Sequence, residues 1–331
     1  MGIRVARNET FVEVGMSEEG KLLVNCGAVS RGVKTAIEKQ VDTVPEEALN
    51  EWREIIFNSD GLDINQQRRA GLLVERLNFG MEHYLSKRLE KLADWLVNSR
   101  ELTNFTYRIS DMGMTYFAQT IATVTGATLA QARLWLNEPQ EDQELLEYLK
   151  AKHHEAELRC LADEKPLFAR RLVWYALVRA RKPKVVVETG VDKGLGAVLL
   201  CSAVKKNVEE GHQGYYVGTD INPEAGYLLD GVYSQFGRVI YGDSIETLKQ
   251  LPQAVEVFIN DSDHSAEYEE REYQVIESKL AQDALVLGDN AHVTQKLAEF
   301  AEKTDRKFIF VPEMVEGHWY PGAGVGIAFG K

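Results

Sequence analysis

The sequence predicts an α/β protein: a doubly wound, mostly parallel sheet in the C-terminal half, preceded by a separate, mainly helical domain. Three observations carry this. From Lys184 onward, short runs of β-branched and aromatic residues alternate with helical stretches, the pattern of strands joined by crossover helices. Between residues 33 and 152 the apolar residues recur instead at spacings of three and four, as on one face of a helix. Finally, Val185-Val186-Val187 leads through Glu188-Thr189-Gly190 to Gly194 and Gly196, a buried strand entering a helix by a tight turn.

A chain of 331 residues exceeds the usual size of one domain, so two are expected, over residues 1–160 and 166–331. The formal charge of −13 gives no electrostatic footprint for nucleic acid or an anionic membrane, which leaves a small-molecule or protein partner. Cys26, Cys160 and Cys201 form neither a C-x-x-C pair nor an even framework, which fits packing residues in a reducing cytosol. No apolar run reaches the ~18 residues of a membrane span and no signal-like stretch opens the chain, so a soluble cytoplasmic protein is expected.

Taken in order, residues 10–25 alternate around Ser17-Glu18-Glu19-Gly20 and predict a small hairpin. Helices follow over 46–57, after Pro45, and over 64–98, where Leu72, Leu73, Leu77, Met81, Leu85, Leu89 and Leu92 make an apolar stripe. Asn78-Phe79-Gly80 is placed to kink or split that segment. Further helices are expected over 112–124 and from Thr128, which stands three residues before Gln131 as in a capping box. Phe105, Tyr107, Met112, Met114, Tyr116 and Phe117 fit a core or the lining of a substrate pocket, the core being favoured by their spacing. Adjacent helical residues point about 100° apart, so His153-His154 reads as a solvated face and not a metal pair. An amphipathic helix over 166–180 then leads into the sheet. Strands are predicted over 184–188, 215–220, 238–242, 255–260, 284–288, 307–312 and 325–329, the last two forming an antiparallel edge.

The chemistry-bearing residues gather at strand ends, where open α/β sheets bind ligands. The loop spacing is G-x3-G-x-G and Glu188 closes the strand before it, which argues against a pyrophosphate and for a cofactor with a cationic or hydroxyl-rich end. Asp220 ends the second strand, where an acid accepts the hydroxyls of a ribose. Gly242-Asp243-Ser244 ends the third, Asn260-Asp261-Ser262-Asp263-His264 the fourth and Gly288-Asp289-Asn290 the fifth. Any one of these acids also serves as a helix cap, but their recurrence at successive strand ends is hard to assign to capping. Oxygen donors from two neighbouring strand ends suit a hard cation such as Mg²⁺.

Glu188 to Gly196 resembles the first motif of class I S-adenosylmethionine-dependent methyltransferases, closest to the E-x-G-x-x-x-G-x-S form of the metal-dependent catechol and caffeoyl-CoA enzymes, with Gly196 in place of the serine. The resemblance implies a Rossmann-like methyltransferase sheet over residues 166–331 that binds S-adenosylmethionine through Glu188, Gly190, Gly194, Asp220, Asp243 and Ser244. It also implies Mg²⁺ on Asp261, Asp289 and Asn290, with His264 where those enzymes carry a lysine base. Asp263-His264-Ser265 and Tyr268 are similar to the macrocin-type natural-product methyltransferases, an alignment that makes Asp263 a rival to Asp261. His292 and His318 stand near as further candidates.

The expected activity is Mg²⁺-assisted O-methylation of a small hydroxylated molecule, as in natural-product tailoring. The helical domain would cover the site or join subunits of a homo-oligomer. A non-catalytic S-adenosylmethionine-binding protein, or a tailoring enzyme such as a hydroxylase on the same sheet, are the alternatives.

Overall fold

Alternation of apolar and polar residues on either side of positions 17–20 yields antiparallel strands in the computed structural model. The structure describes residues 3–7, 10–16, 22–26, 64–101, 103–155, 162, 163, 165–251 and 254–330. It divides into two units, Met1–Ser86 and Lys87–Lys331. In the first, β1 (Ile3–Arg7), β2 (Thr10–Met16) and β3 (Leu22–Cys26) form a sheet in that order, with Val14 opposite Val24 as the expected hairpin requires. The first unit also holds α1 (Ile64–Gly80), which gives way to a π-helical turn, Met81–Leu85, directly after Asn78-Phe79-Gly80. The helix expected over 46–57 lies outside the described residues.

The second unit carries α2 (Ser86–Asn98, of which Ser86 falls in the first unit), a short strand β4 (Arg108–Ile109), α3 (Asp111–Thr125), α4 (Leu129–Glu141) and α5 (Gln143–Glu155). Local chemistry sets the helix ends. Ser110 and Thr128 each accept a backbone N–H of the first turn, from Gly113 and Gln131, and α3 stops at Gly126 in the left-handed region. The sheet region follows with α6 (Arg171–Arg181), β5 (Val185–Thr189), α7 (Leu195–Glu209), β6 (Tyr215–Asp220), β7 (Gly237–Tyr241) and α8 (Ser244–Gln250). Then come β8 (Val255–Asn260), α9 (Ala266–Glu277), β9 (Leu280–Asp289), α10 (Lys296–Lys303), β10 (Lys307–Pro312), β11 (Val315–Glu316) and β12 (Gly324–Phe329).

The large sheet runs β10-β12-β9-β8-β5-β6-β7, and only β12 is antiparallel to its neighbours. This is the doubly wound, Rossmann-like sheet with an antiparallel edge that the strand pattern predicts. Val186 and Val187, on opposite faces of β5, are both buried and Val185 is half-buried, which is why that strand reads as a continuous apolar run. Strand order reverses at β5, between β6 and β8, so a crevice opens at their carboxyl ends.

Two expectations meet a different structure. Helices α3 and α4 pack on α6, and α6 on α7, so Phe117, Ile121 and Leu136 share one core with Trp174, Leu177 and the sheet. The boundary expected near 160–166 thus lies inside the second unit. The solvated face expected for His153-His154 holds for His154 alone: His153 is 2 % exposed, with its ring 6.3 Å from that of Phe105, since apolar packing claims its side of α5.

The turn after β5 has no room for a side chain. Gly190 has φ +80, its N–H bonds the Thr219 carbonyl at 2.8 Å, and a Cβ there would sit 2.0 Å from the Asp261 carbonyl oxygen. Gly190→Ala combines strain with a clash against backbone and is expected to destabilise the fold by about 3 kcal/mol or more. Urea unfolding of the variant measures this, and a midpoint equal to wild type would contradict the close approach.

Candidate active site

A cavity of about 740 Å³ opens at the carboxyl ends of the central strands, within the size range of small-molecule and cofactor sites. Its lining includes Gly190, Asp220, Asp243, Ser244, Asp261, Asp263 and Tyr268 from the residues singled out in the sequence, and Arg170, Arg171 and Asp192 besides.

Asp220 does more here than face the cavity. Its Oδ2 accepts the backbone N–H groups of Val191 and Asp192 at 2.8 and 3.0 Å, and its Oδ1 that of Asn222 at 2.8 Å. The carboxylate clamps the glycine loop, and of its four or so acceptor positions about one is left for a ligand hydroxyl. Asp243 caps α8 through the Ile245 N–H at 2.8 Å and meets the Tyr268 hydroxyl at 3.2 Å, both through Oδ1. Ser244 is buried and donates to Glu272, which also accepts from Thr189 at 3.0 Å, Ser262 at 2.9 Å and Asn260. This buried carboxylate ties β5, β8, α8 and α9 together beneath the cavity. Burial raises its pKa, and the three hydroxyl donors offset part of that rise.

Glu188 and Gly194 are not in the cavity lining. Gly194 instead holds φ +96 at the start of α7, close against Gly226. Glu188 is 1 % exposed and accepts the Tyr216 hydroxyl in the core. Its Oε1 lies where a Cβ on Gly196 would come within 2.5 Å, so the glycine at the serine position makes room for this carboxyl. Burial pushes the Glu188 pKa up to about 8, against the bond from Tyr216. Glu188, expected to bind the cofactor, thus lies in the core and not on the cavity wall.

Asp261, His264 and Asp289 do converge, with ligand atoms within 4.8 Å of one another. His264 Nε2 is 3.8 Å from Asp261 and 3.3 Å from the Asn290 amide nitrogen, while its Nδ1 is 3.6 Å from Glu269. Asp263 instead accepts the Ser265 N–H at 2.7 Å, so Asp261 is the acid that joins the cluster. His292 lies beside Phe310, and His318 in a ring cluster with Trp95, Tyr107 and Trp319.

Sequence reasoning missed Arg170. Its Nε and Nη2 donate to the two oxygens of Asp289, which is 0 % exposed, and its Nη1 to the Tyr107 hydroxyl at 2.7 Å. The Arg170 backbone N–H and the Tyr107 hydroxyl both bond Glu313 at 3.0 Å. Glu313 is itself held by the Ala323 N–H at 2.8 Å. The one signal in the sequence was the acid-free stretch 170–184, which does not say which arginine turns inward. Burial and the charge of Asp289 raise the Asp261 pKa; Asp289 itself is lowered, because Arg170 outweighs its burial.

These residues do not fit the Mg²⁺ expected on Asp261, Asp289 and Asn290. Mg²⁺ demands oxygen donors in near-octahedral geometry. Here a guanidinium fork occupies both oxygens of Asp289, Asn290 turns its amide nitrogen to the cluster, and the third converging donor is an imidazole. S-adenosylmethionine fits better. The cavity is large enough, its rim acids suit a sulfonium and an ammonium, and Gly190 keeps its edge free of a Cβ.

Residues 187–291 match the family model of a methyltransferase domain. No curated protein matches the chain. Among solved structures, similar ones include a Bacillus cereus O-methyltransferase in complex with SAH, at 13% identity and a TM-score of 0.44, over 64% of this chain and 100% of that one. A Streptomyces achromogenes O-methyltransferase involved in tomaymycin synthesis, in complex with SAM, is 16% identical with a TM-score of 0.41, over 57% and 90%. A methyltransferase from Geobacter sulfurreducens is 17% identical with a TM-score of 0.41, over 55% and 89%.

Glu188 makes stability depend on pH in a defined direction. Its folded pKa lies above the unfolded value, so the native state holds a proton that the unfolded state has lost between the ordinary carboxyl range and about 8. That contribution is full below the unfolded pKa and disappears as pH rises through the folded one. Glu188→Gln keeps an acceptor for Tyr216 without the charge. It is expected to gain a few kcal/mol on wild type as pH climbs through this window, read by urea unfolding at several pH values. A constant difference between the two proteins would contradict the buried, protonated carboxyl.

Proposed function

We propose that this chain is an S-adenosylmethionine-dependent O-methyltransferase acting on a small hydroxylated molecule. The observation that carries the reading is the acid-rimmed cavity at the reversal of strand order, built around Gly190 and Asp220 within the segment that matches a methyltransferase domain. When bound, S-adenosylmethionine supplies a methyl group on a sulfonium that leaves as a neutral thioether once an acceptor oxygen takes the methyl. A neutral hydroxyl is a poor nucleophile, so the chain must hold it in line and remove its proton.

His264 is placed for the proton. With Nδ1–H turned toward the buried carboxylate of Glu269, Nε2 keeps its lone pair for the opening beside Asp261. Glu269 is the first cause of a raised His264 pKa, which makes the ring a stronger base than an ordinary histidine. Asp220 holds the loop and Asp243 the far rim, and Mg²⁺ has no part in this reading. A natural-product acceptor is supported by the Asp263-His264-Ser265 and Tyr268 pattern.

Two measurements test the reading. Calorimetry with SAH should show binding by wild type and at least a tenfold loss in Asp220→Ala, about 1.4 kcal/mol, since the variant frees the loop as well as a ligand contact. Unchanged affinity would remove Asp220 from the site. On any acceptor found by screening hydroxylated small molecules, His264→Ala should slow turnover by roughly 10²-fold with SAH affinity unaltered. Because only neutral imidazole takes a proton, wild-type turnover should fall with acid, starting above the ordinary histidine pKa. A wild-type rate and an unaltered pH profile in the variant would place the base elsewhere.

A further inference from the structure

Resting on the methyltransferase reading, we infer that the Arg170 guanidinium takes the place of the divalent cation at this site, so that the acceptor is organised by a fixed organic cation and not by a metal. All three nitrogens of the guanidinium have partners inside the protein. Nε and Nη2 fork onto Asp289, and Nη1 reaches Tyr107 at 2.7 Å and Glu313 at 3.6 Å. The backbone N–H of the same residue is anchored on Glu313 at 3.0 Å, and Glu313 on the strand-leading Ala323 N–H at 2.8 Å. Such an arginine does not swing aside to admit a metal. Its side chain is buried, and leaving would strand Asp289 with no exposure to water.

Geometry and charge agree. A metal on Asp261 and Asp289 would lie at the end of β8 and β9, and there the guanidinium edge already lies, closing both Asp289 oxygens. Arg170 is the cation shared by two buried carboxyl groups, Asp289 and Glu313, and Asp261 stands beside Asp289. Arg170 also lines the cavity together with Asp261, so its charge faces the space where an acceptor oxygen would gain negative charge as His264 takes the proton. Unlike a bound ion, this charge needs no loading and does not leave with a chelator.

The test uses Mn²⁺ as the probe, followed by the electron paramagnetic resonance signal of the free ion, on the full chain. Wild type and Asp289→Asn should retain the same amount of Mn²⁺ at millimolar concentration. Arg170→Met, which removes the fork but keeps the bulk, should gain one Mn²⁺ per chain, and adding Asp289→Asn should abolish the gain. A wild type that binds one more ion than Asp289→Asn overturns the inference, as does a folded Arg170→Met, checked by circular dichroism, that gains none. SAH calorimetry on the same wild-type sample separates the two readings. Absence of SAH binding would end the methyltransferase assignment, whereas SAH binding together with an Asp289-dependent ion would end only the assignment of Arg170.

Discussion

The fork between Arg170 and Asp289 is the contact on which the arrangement of this site depends. Breaking one partner of a buried pair strands the other charge in a medium that cannot solvate it, at a cost of several kcal/mol, so the pair fixes its neighbours more firmly than its net stability would suggest. It joins the start of α6 to the end of β9. Through Tyr107 and Glu313 it reaches the segment before β4 and the one after β10. Because α6 also packs against α3 and α4, the helical layer and the sheet of this unit are registered at one polar point inside an apolar core.

The cavity next to that point has a firm floor for a related reason. Carboxylates that face a ligand elsewhere on such sheets are here also committed to the protein. Asp220 holds two loop amides and a third beyond them, Asp243 holds the start of α8, and Glu272 collects three hydroxyls and an amide below. A loop held by charge-assisted bonds needs little reordering when a cofactor arrives, which lowers the cost of binding. The same carboxylates give the rim a negative potential. That favours a cofactor with cationic groups and disfavours a pyrophosphate, in line with the acid that precedes the glycine turn.

The fold was legible because its signals are local. Strand edges at Tyr215–Asp220, Val255–Asn260 and Lys307–Pro312 fall where alternation of β-branched runs and turns places them, and Thr128 caps its helix as its spacing with Gln131 indicates. The candidate site was legible only as far as backbone position determines it. Strand ends bring Gly190, Asp220, Asp243 and Asp261 to one cavity, and Asp261, His264 and Asp289 to one cluster. Side-chain direction is another matter. Glu188 occupies a strand end like the others, yet the missing Cβ at Gly196 and the hydroxyl of Tyr216 turn it into the core. Arg170 stands 119 positions from Asp289 in the chain, and its partner is set by how α6 packs, which no local spacing encodes. His153 was misread for the same reason, since its neighbour Phe105 is distant in sequence.

The placement of His264 shows how one cluster serves two demands. An imidazole between two acids would ordinarily be held as imidazolium and lose its use as a base. Here the two acids differ. Glu269, buried and fixed by Thr294, faces Nδ1, while Asp261, 3.8 Å from Nε2, is pushed toward its protonated form by burial and by the charge of Asp289. Asn290, held at φ +51 in the left-handed region that asparagine tolerates, stands with its amide nitrogen 3.3 Å from Nε2. Glu269 and the charge of Asp289 still raise the His264 pKa, and burial and the Arg170 guanidinium work against that rise. The permanent cation beside the histidine thus tempers the pull of its carboxyl neighbours and keeps the ring nearer to the neutral form that a base requires.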